Sequence, residues 1–247
     1  MGAVFGVYLK YVGLSVVSGA LAYSQITFPA SGSPQVPLLA AGLLYVSLLN
    51  AVVAGMFKAR RGMALIGKDR RTGQIPLWSY VVYSGFIVPT YCYTVLHTWL
   101  GKSKGVPVAT EIRKGWWLGG RGGRELGKRW AGTVDLTVEF PEPCADQSLY
   151  YLSLPCWDGV PPTAEQLEEA AEFCAQHHPN GDIMIHCAHG RGRSTCTMCA
   201  AFVRAGFYDD WKGAFEAIKI ERPVVRLNKA MKRALEDWTT KFQNAKR

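Results

Sequence analysis

Charge is what this 247-residue chain has little of: 19% of its residues are charged, below the roughly one-quarter usual in soluble domains. Acid is scarcer still at one end. Residues 1–100 hold a single carboxylate, Asp69, against seven basic side chains, and residues 11–57 hold no charged side chain at all. Cysteine is odd in number, at seven, and has no framework spacing, which argues against a disulfide scaffold. No basic residue precedes the apolar stretch that opens the chain and no small-residue cleavage site follows it, so the start does not read as a secretory signal. No Arg occurs before Arg60, which argues against a mitochondrial transit peptide. Met1-Gly2 begins a myristoylation pattern, but Gly6 stands where Ser or Thr is required. At 49% hydrophobic residues, disorder is not expected.

The net charge of +9 invites a nucleic-acid reading, and its distribution removes it. Residues 1–100 carry +6 and residues 101–247, with 21 basic and 18 acidic side chains, carry +3. An excess concentrated beside apolar runs suits membrane flanks. Residues 1–101 read as a membrane region with helices near 11–28, 38–57 and 76–100, the first two separated by the Pro- and Ser-rich stretch 29–37. Ser15, Ser18, Ser24, Gln25 and Thr27 dilute the first segment. The third carries Trp78, Tyr80, Tyr83 and Trp99 in the manner of interfacial aromatic belts, and Pro89 at its middle predicts a kink or a re-entrant path. The loop 58–71 has six basic residues, which predicts a cytoplasmic position. Lys102, Lys104, Arg113 and Lys114 flank the third segment on its other side, so an in-plane third segment would put both clusters on one side. The expectation is an integral membrane protein with two to three transmembrane or membrane-embedded helices.

Residues 102–247 change character. Charges of both signs appear, with strand-like segments at 110–120, 132–139 and 149–154. Thr163 and Gln166 have capping-box spacing before a helical pattern through Cys174. Residues 182–186 form a short apolar run suited to a buried central strand, and helices are predicted over 194–205, 208–219 and 226–242. The predicted class is α/β, one domain with a central sheet flanked by helices.

The chemistry is concentrated in His186-Cys187-Ala188-His189-Gly190-Arg191-Gly192-Arg193-Ser194, between that strand and a helix. Gly190 and Gly192 allow left-handed or crowded backbone. Successive N–H groups can then line an anion nest, with the positive end of the next helix behind it. Arg193 can fork onto two phosphate oxygens. The same field favours the Cys187 thiolate, the nucleophilic form.

This strand–loop–helix with Cys-x5-Arg-Ser resembles the dual-specificity branch of the protein tyrosine phosphatase superfamily. Trp116-Trp117-Leu118-Gly119-Gly120, Val134-Asp135-Leu136-Thr137 and Tyr151 through Asp158 resemble family strands, the last delivering an acid loop ahead of the Cys loop. The resemblance implies a dual-specificity-phosphatase-like sheet and a two-step mechanism without metal or other cofactor. Cys187 attacks phosphorus, and Asp158 serves as acid and then base. Arg193 and the N–H groups of Ala188, His189, Gly190, Arg191 and Gly192 hold the phosphoryl oxygens. Ser194 eases thiolate release, His186 orients the loop, and Asn228 helps place the attacking water.

Plainer readings compete. Cys187 can be an inert core thiol, Asp158 a turn residue before Gly159, and His189 a metal ligand or a rim residue facing solvent. Cys196 and Cys199 have redox spacing but fall in a helix, where packing is the simpler account. A catalytic thiolate needs a reducing compartment, which points the domain to the cytosol. Arg191 and His189 add basic groups that suit phospholipid phosphates, while a short acid loop also suits phosphoproteins. The expected partners are therefore a phosphoprotein or phosphorylated lipid, and a membrane, with no nucleic acid. A catalytically inactive phosphate-binding membrane scaffold is the alternative; a transporter is disfavoured by the absence of intramembrane charge.

Overall fold

The computed structural model describes residues 6–28 and 36–243; the stretch 29–35 and the Met1-Gly2 start lie outside the described residues. The N-terminal part is helical. Helices α1 (Tyr8–Thr27) and α2 (Val36–Ala59) pair along their length. They are antiparallel: Tyr11 meets Phe57 at one end, with ring centroids 4.9 Å apart, and Gly19 faces Ser47 further along. A Cβ on Gly19 would come 2.9 Å from the Ser47 hydroxyl, so the small residue sets the close crossing. The hydroxyls that dilute α1 bond back to helix carbonyls, as Ser24 does to Leu21 and Thr27 to Tyr23.

The expectation of two to three crossing helices is corrected. Among the described residues only Pro37–Ala59 is long and apolar enough to span a bilayer, with a mean hydropathy of 2.0. It is 22% buried, so it is not a core helix. The third segment is two helices, α3 (Leu77–Val82) and α4 (Ser84–Ser103). The break falls at Tyr83, and α4 runs through Pro89 without interruption. Pro89 cannot donate to the carbonyl of Gly85, four residues back. Asn50 of α2, fully buried, donates its side-chain amide to that carbonyl at 3.0 Å. Helix α4 then lies along the C-terminal domain. Phe86 meets Trp157, Tyr91 meets Phe140, His97 meets His189, and Lys102 pairs with Glu125.

The C-terminal domain is the expected α/β unit. Strands β1 (Ala109–Arg113), β2 (Trp116–Gly119), β3 (Trp130–Thr137), β4 (Ser148–Cys156) and β5 (Ile183–His186) form one sheet in the order β1-β2-β5-β3-β4. Only β1 and β2 pair antiparallel. The central strand β5 is buried on both faces: Ile183 and Ile185 join the main core, while Met184 packs with Trp130 on the other side. That explains its continuous apolar run. Helices α5 (Ala164–His177), α6 (Arg193–Arg204), α7 (Trp211–Glu221) and α8 (Lys229–Trp238) build the main core against the sheet. The Thr163–Gln166 capping box opens α5. Helix α8 is shorter than predicted and ends in a π-turn over Thr239–Gln243. Helix α6 is the innermost, with every residue from Arg193 to Val203 buried. The loop from β5 to α6 thus sits at the carboxyl ends of the parallel strands, where open α/β sheets place their crevices.

Asn50→Leu removes the donor opposite Pro89 and is expected to cost about 1–3 kcal/mol of stability in detergent. In a Pro89→Ala background, residue 89 regains an N–H for the Gly85 carbonyl and the same substitution should cost less. A double-mutant cycle of unfolding midpoints checks this.

Candidate active site

The β5–α6 loop is held from outside by its carbonyls. Ala188 O accepts the Arg121 N–H at 3.3 Å, and Arg191 O accepts the Arg226 N–H at 2.7 Å. Gly190 O and His189 O accept the Arg222 guanidinium at 2.9 and 3.4 Å. With the carbonyls tied outward, amide N–H groups turn inward, and those of Arg191 and Ser194 reach the Cys187 sulfur. Gly190 has φ +66°, and a Cβ there would come 2.4 Å from the Gly119 carbonyl carbon. No side chain fits that approach. Gly192 is different: φ is −128° and it precedes the first turn of α6, so left-handed freedom is not what it supplies.

Cys187 is 3% exposed. Burial pushes its thiol up. The Arg193 guanidinium, the Ser194 hydroxyl at 3.3 Å and the loop N–H groups outweigh burial, and the thiol lies below its ordinary value.

Arg193 is 1% exposed and reaches across the site. Glu139 grips it with both carboxylate oxygens, at 2.7 and 3.1 Å. The carbonyls of Leu136 and Cys156 accept from it at 3.0 and 2.6 Å, and Asp158 at 3.2 Å. Its Nε has no partner among the described residues. Burial raises the Asp158 carboxyl, Arg193 lowers it and Glu139 raises it again, leaving it at about 6.

Behind the loop lies a second charged group. His186 Nε2 is 2.6 Å from Glu142 and 3.9 Å from Asp135. Burial disfavours its imidazolium, but Glu142 and then Asp135 outweigh burial and raise it to about 9. Asp135 also receives the buried Lys68 ammonium and the Tyr151 hydroxyl, the latter at 2.9 Å. Asp135, Glu142 and His186 are close enough to share a cation. The Lys68 ammonium and the imidazolium already supply that charge.

Cys187, Arg193, Ser194, Asp158 and His186 are thus brought together. The other predicted residues take varied positions. Ala188 and Gly190 contribute outward-tied backbone. Arg191 is half-buried and its guanidinium lies 3.5 Å from His97 of α4. His189 does not face solvent: its ring packs edge-on against His97, centroids 4.5 Å apart. Burial, helped by His97 and Arg191, lowers it to about 3, so it adds no cation. Asn228 caps α8 through the Met231 N–H and donates to Gly159 O at 2.8 Å, which ties the acid loop to α8. Cys196 and Cys199 are buried in α6 with their thiols pushed up by burial.

Sequence reading missed Glu139, Glu142, Asp135, Lys68 and Arg222. Acidic residues in Glu139-Phe140-Pro141-Glu142 just beyond a buried strand were the available signal. Nothing in the sequence marks Lys68, which is one of six basic residues in its loop.

No family model matches the chain, and no curated protein matches it. Solved structures overlay part of it. PTPMT1 in complex with PI(5)P is 18% identical, with a TM-score of 0.49, covering 57% of this chain and 100% of that one. Tk-PTP in its active form is 20% identical, TM-score 0.49, covering 55% and 99%. Human DUSP28 is 19% identical, TM-score 0.45, covering 56% and 96%.

In a Cys92→Ser background, which removes the exposed cysteine, iodoacetamide at pH 6 should label Cys187 and leave the five other buried thiols intact. Arg193→Met should move that labelling to higher pH, because the cation favouring the thiolate is gone. Mass spectrometry of the adducts checks both; labelling spread over several cysteines would contradict the assignment.

Proposed function

We propose that this chain is a membrane-associated, cysteine-dependent phosphatase that hydrolyses phosphate monoesters through a phosphocysteine intermediate. The observation that carries the reading is a single small cavity lined by Cys187, Arg193 and Asp158. It combines a thiolate-favouring cysteine, a buried guanidinium and a carboxyl that holds its proton to about pH 6.

The steps follow from those three groups. A monoester dianion enters the N–H cradle and its oxygens take Arg193 Nε and the guanidinium edge now bonded to Asp158. The Cys187 thiolate attacks phosphorus, forming the S–P bond as the ester P–O bond breaks. Asp158, released from Arg193, gives its proton to the departing oxygen. Water then attacks phosphorus, Asp158 takes a proton from it, and the P–S bond breaks. Ser194, 3.3 Å from the sulfur, stabilises the thiolate as it leaves. Arg193 and the loop amides act most strongly on the equatorial oxygens of the transition state. His186, held as imidazolium by Glu142 and Asp135, fixes the base of the loop.

The membrane association rests on α2. The α1–α2 pair meets the catalytic domain at the start of α1 and the end of α2, through Tyr11, Phe57 and Trp157. Together with α4 lying on the domain, this supports a hairpin dipping into the bilayer from one side, with residues 58–71 and 102–243 on that side. A thiolate nucleophile and free cysteines throughout favour a reducing compartment such as the cytosol. Phosphoproteins and phospholipid phosphates both remain within the chemistry of the cradle.

With phenyl phosphate, whose poor leaving group needs the acid, kcat/KM should fall about tenfold per pH unit above pH 6, where Asp158 loses its proton. Asp158→Ala should lower kcat by about 10²–10⁴-fold and remove that alkaline limb. Cys187→Ser should abolish turnover. Activity that survives Cys187→Ser, or an alkaline limb unchanged in Asp158→Ala, would overturn the assignments.

A further inference from the structure

We infer that the cleft between α1 and α4 is an acyl-chain slot, and that the Cys187 site takes an amphiphilic phosphate monoester from the bilayer surface; this rests on the phosphatase reading above. A cavity of about 380 Å³ lies between the two helices, within the size range of small-molecule sites. Tyr11 and Leu14 of α1 and Pro89 and Tyr93 of α4 form its walls, and Glu139 and Asp158 form its inner end. The walls are mostly apolar, with Thr90 and Thr94 of α4 as their polar members, and the inner end holds the general acid.

That position has a stereochemical meaning. In-line displacement puts the leaving oxygen opposite the sulfur, and Asp158 must reach that oxygen to protonate it. The group attached to the leaving oxygen therefore lies on the Asp158 side of phosphorus. Two cavities offer space beside Asp158, the α1–α4 cavity and a second one with a basic rim, and of the two the α1–α4 cavity is the less polar. An alkyl chain fills it without burying an unpaired polar group, which a peptide backbone cannot do.

The outer surface agrees. Leu14 is 36% exposed, and Val17 and Leu21, one and two turns further along the same face of α1, are exposed as well, so the apolar wall of the slot continues along the outside of that helix. Lys10, which also lines the cavity, lies over the Tyr93 ring, 3.8 Å from its centroid, and its charge acts on Asp158, so it stands toward the end of the slot that takes the phosphate. A second cavity that reaches Asp158, about 310 Å³, is bordered by Lys58, Arg60 and Lys229. Its basic rim suits further headgroup charge rather than hydrocarbon.

The test uses the full chain at one detergent concentration. Turnover of n-alkyl phosphates from ethyl to decyl is measured beside phenyl phosphate and a phosphotyrosyl peptide, and binding of the matching n-alkylphosphonates, which cannot be hydrolysed, is measured by calorimetry. The slot predicts that kcat/KM and phosphonate affinity both rise, by about fourfold per methylene, and then level off when the slot is full. Leu14→Trp should bring the plateau to shorter chains and Leu14→Ala to longer ones. Leu14 is partly exposed, so neither change is expected to prevent folding. A flat chain-length series, a plateau unmoved by both variants, or a peptide preferred over the longest alkyl phosphate would overturn the slot, even with phenyl phosphate turned over. Rising phosphonate affinity without any turnover would support the slot and overturn the catalytic reading instead.

Discussion

Arg193 carries a full positive charge into a place that water does not reach, and a buried charge is tolerated only when it is paired and hydrogen-bonded. Glu139, Asp158 and the carbonyls of Leu136 and Cys156 provide that pairing. They come from two segments, 136–139 at the end of β3 and 156–158 at the end of β4, so satisfying one guanidinium gathers both strand ends and the start of α6 around Cys187. The same charge lowers the Cys187 thiol and draws Asp158 toward it. The pairing is also unequal in a useful way. Glu139 binds with two oxygens and holds the arginine in place, while Asp158 binds with one, at 3.2 Å.

The N-terminal helices are fastened to this centre at two points. Trp157, the residue before Asp158, is fully buried. Its ring stacks on Phe57 of α2 at 4.5 Å and meets Phe86 of α4 edge-on at 5.7 Å, and its N–H donates to Arg61 O at 2.6 Å. The acid loop is thus anchored by the end of the hairpin rather than by its own domain alone. Lys68 is the second joint. It leaves the basic loop after α2 and pairs with Asp135 beside His186. A buried ion pair of this kind adds little net stability, yet removing one member leaves an uncompensated charge. It therefore specifies how the two halves dock more than how strongly.

The sequence was most legible where local chemistry decides. The capping box at Thr163, the central strand ahead of Cys187 and the glycine at position 190 each follow from rules acting over a few residues. It was least legible where partners are distant. Asn50 and Pro89 look unrelated until α2 and α4 are side by side and one supplies the donor that the other lacks. Residues 76–100 read as one apolar run because composition cannot distinguish a helix facing lipid from one lying on a domain. Leu65 and Lys68 sit in the same loop, but only Lys68 is drawn inside, because Asp135 waits there for a counter-charge.

What the sequence alone determined was the chemistry available: a cysteine, an arginine after five intervening loop residues, and a helix to follow, all within one short stretch whose geometry is local. The tertiary structure decided the rest. Whether Cys187 is ionised depends on how far Arg193 is dehydrated, and whether Asp158 keeps its proton depends on burial set by Trp157 and the charge of Glu139. Where α4 lies depends on contacts from Phe86 to Lys102 with a domain that folds later in the chain. Those are differences in solvation and in long-range packing. They exist only once segments far apart in sequence have excluded water from between them.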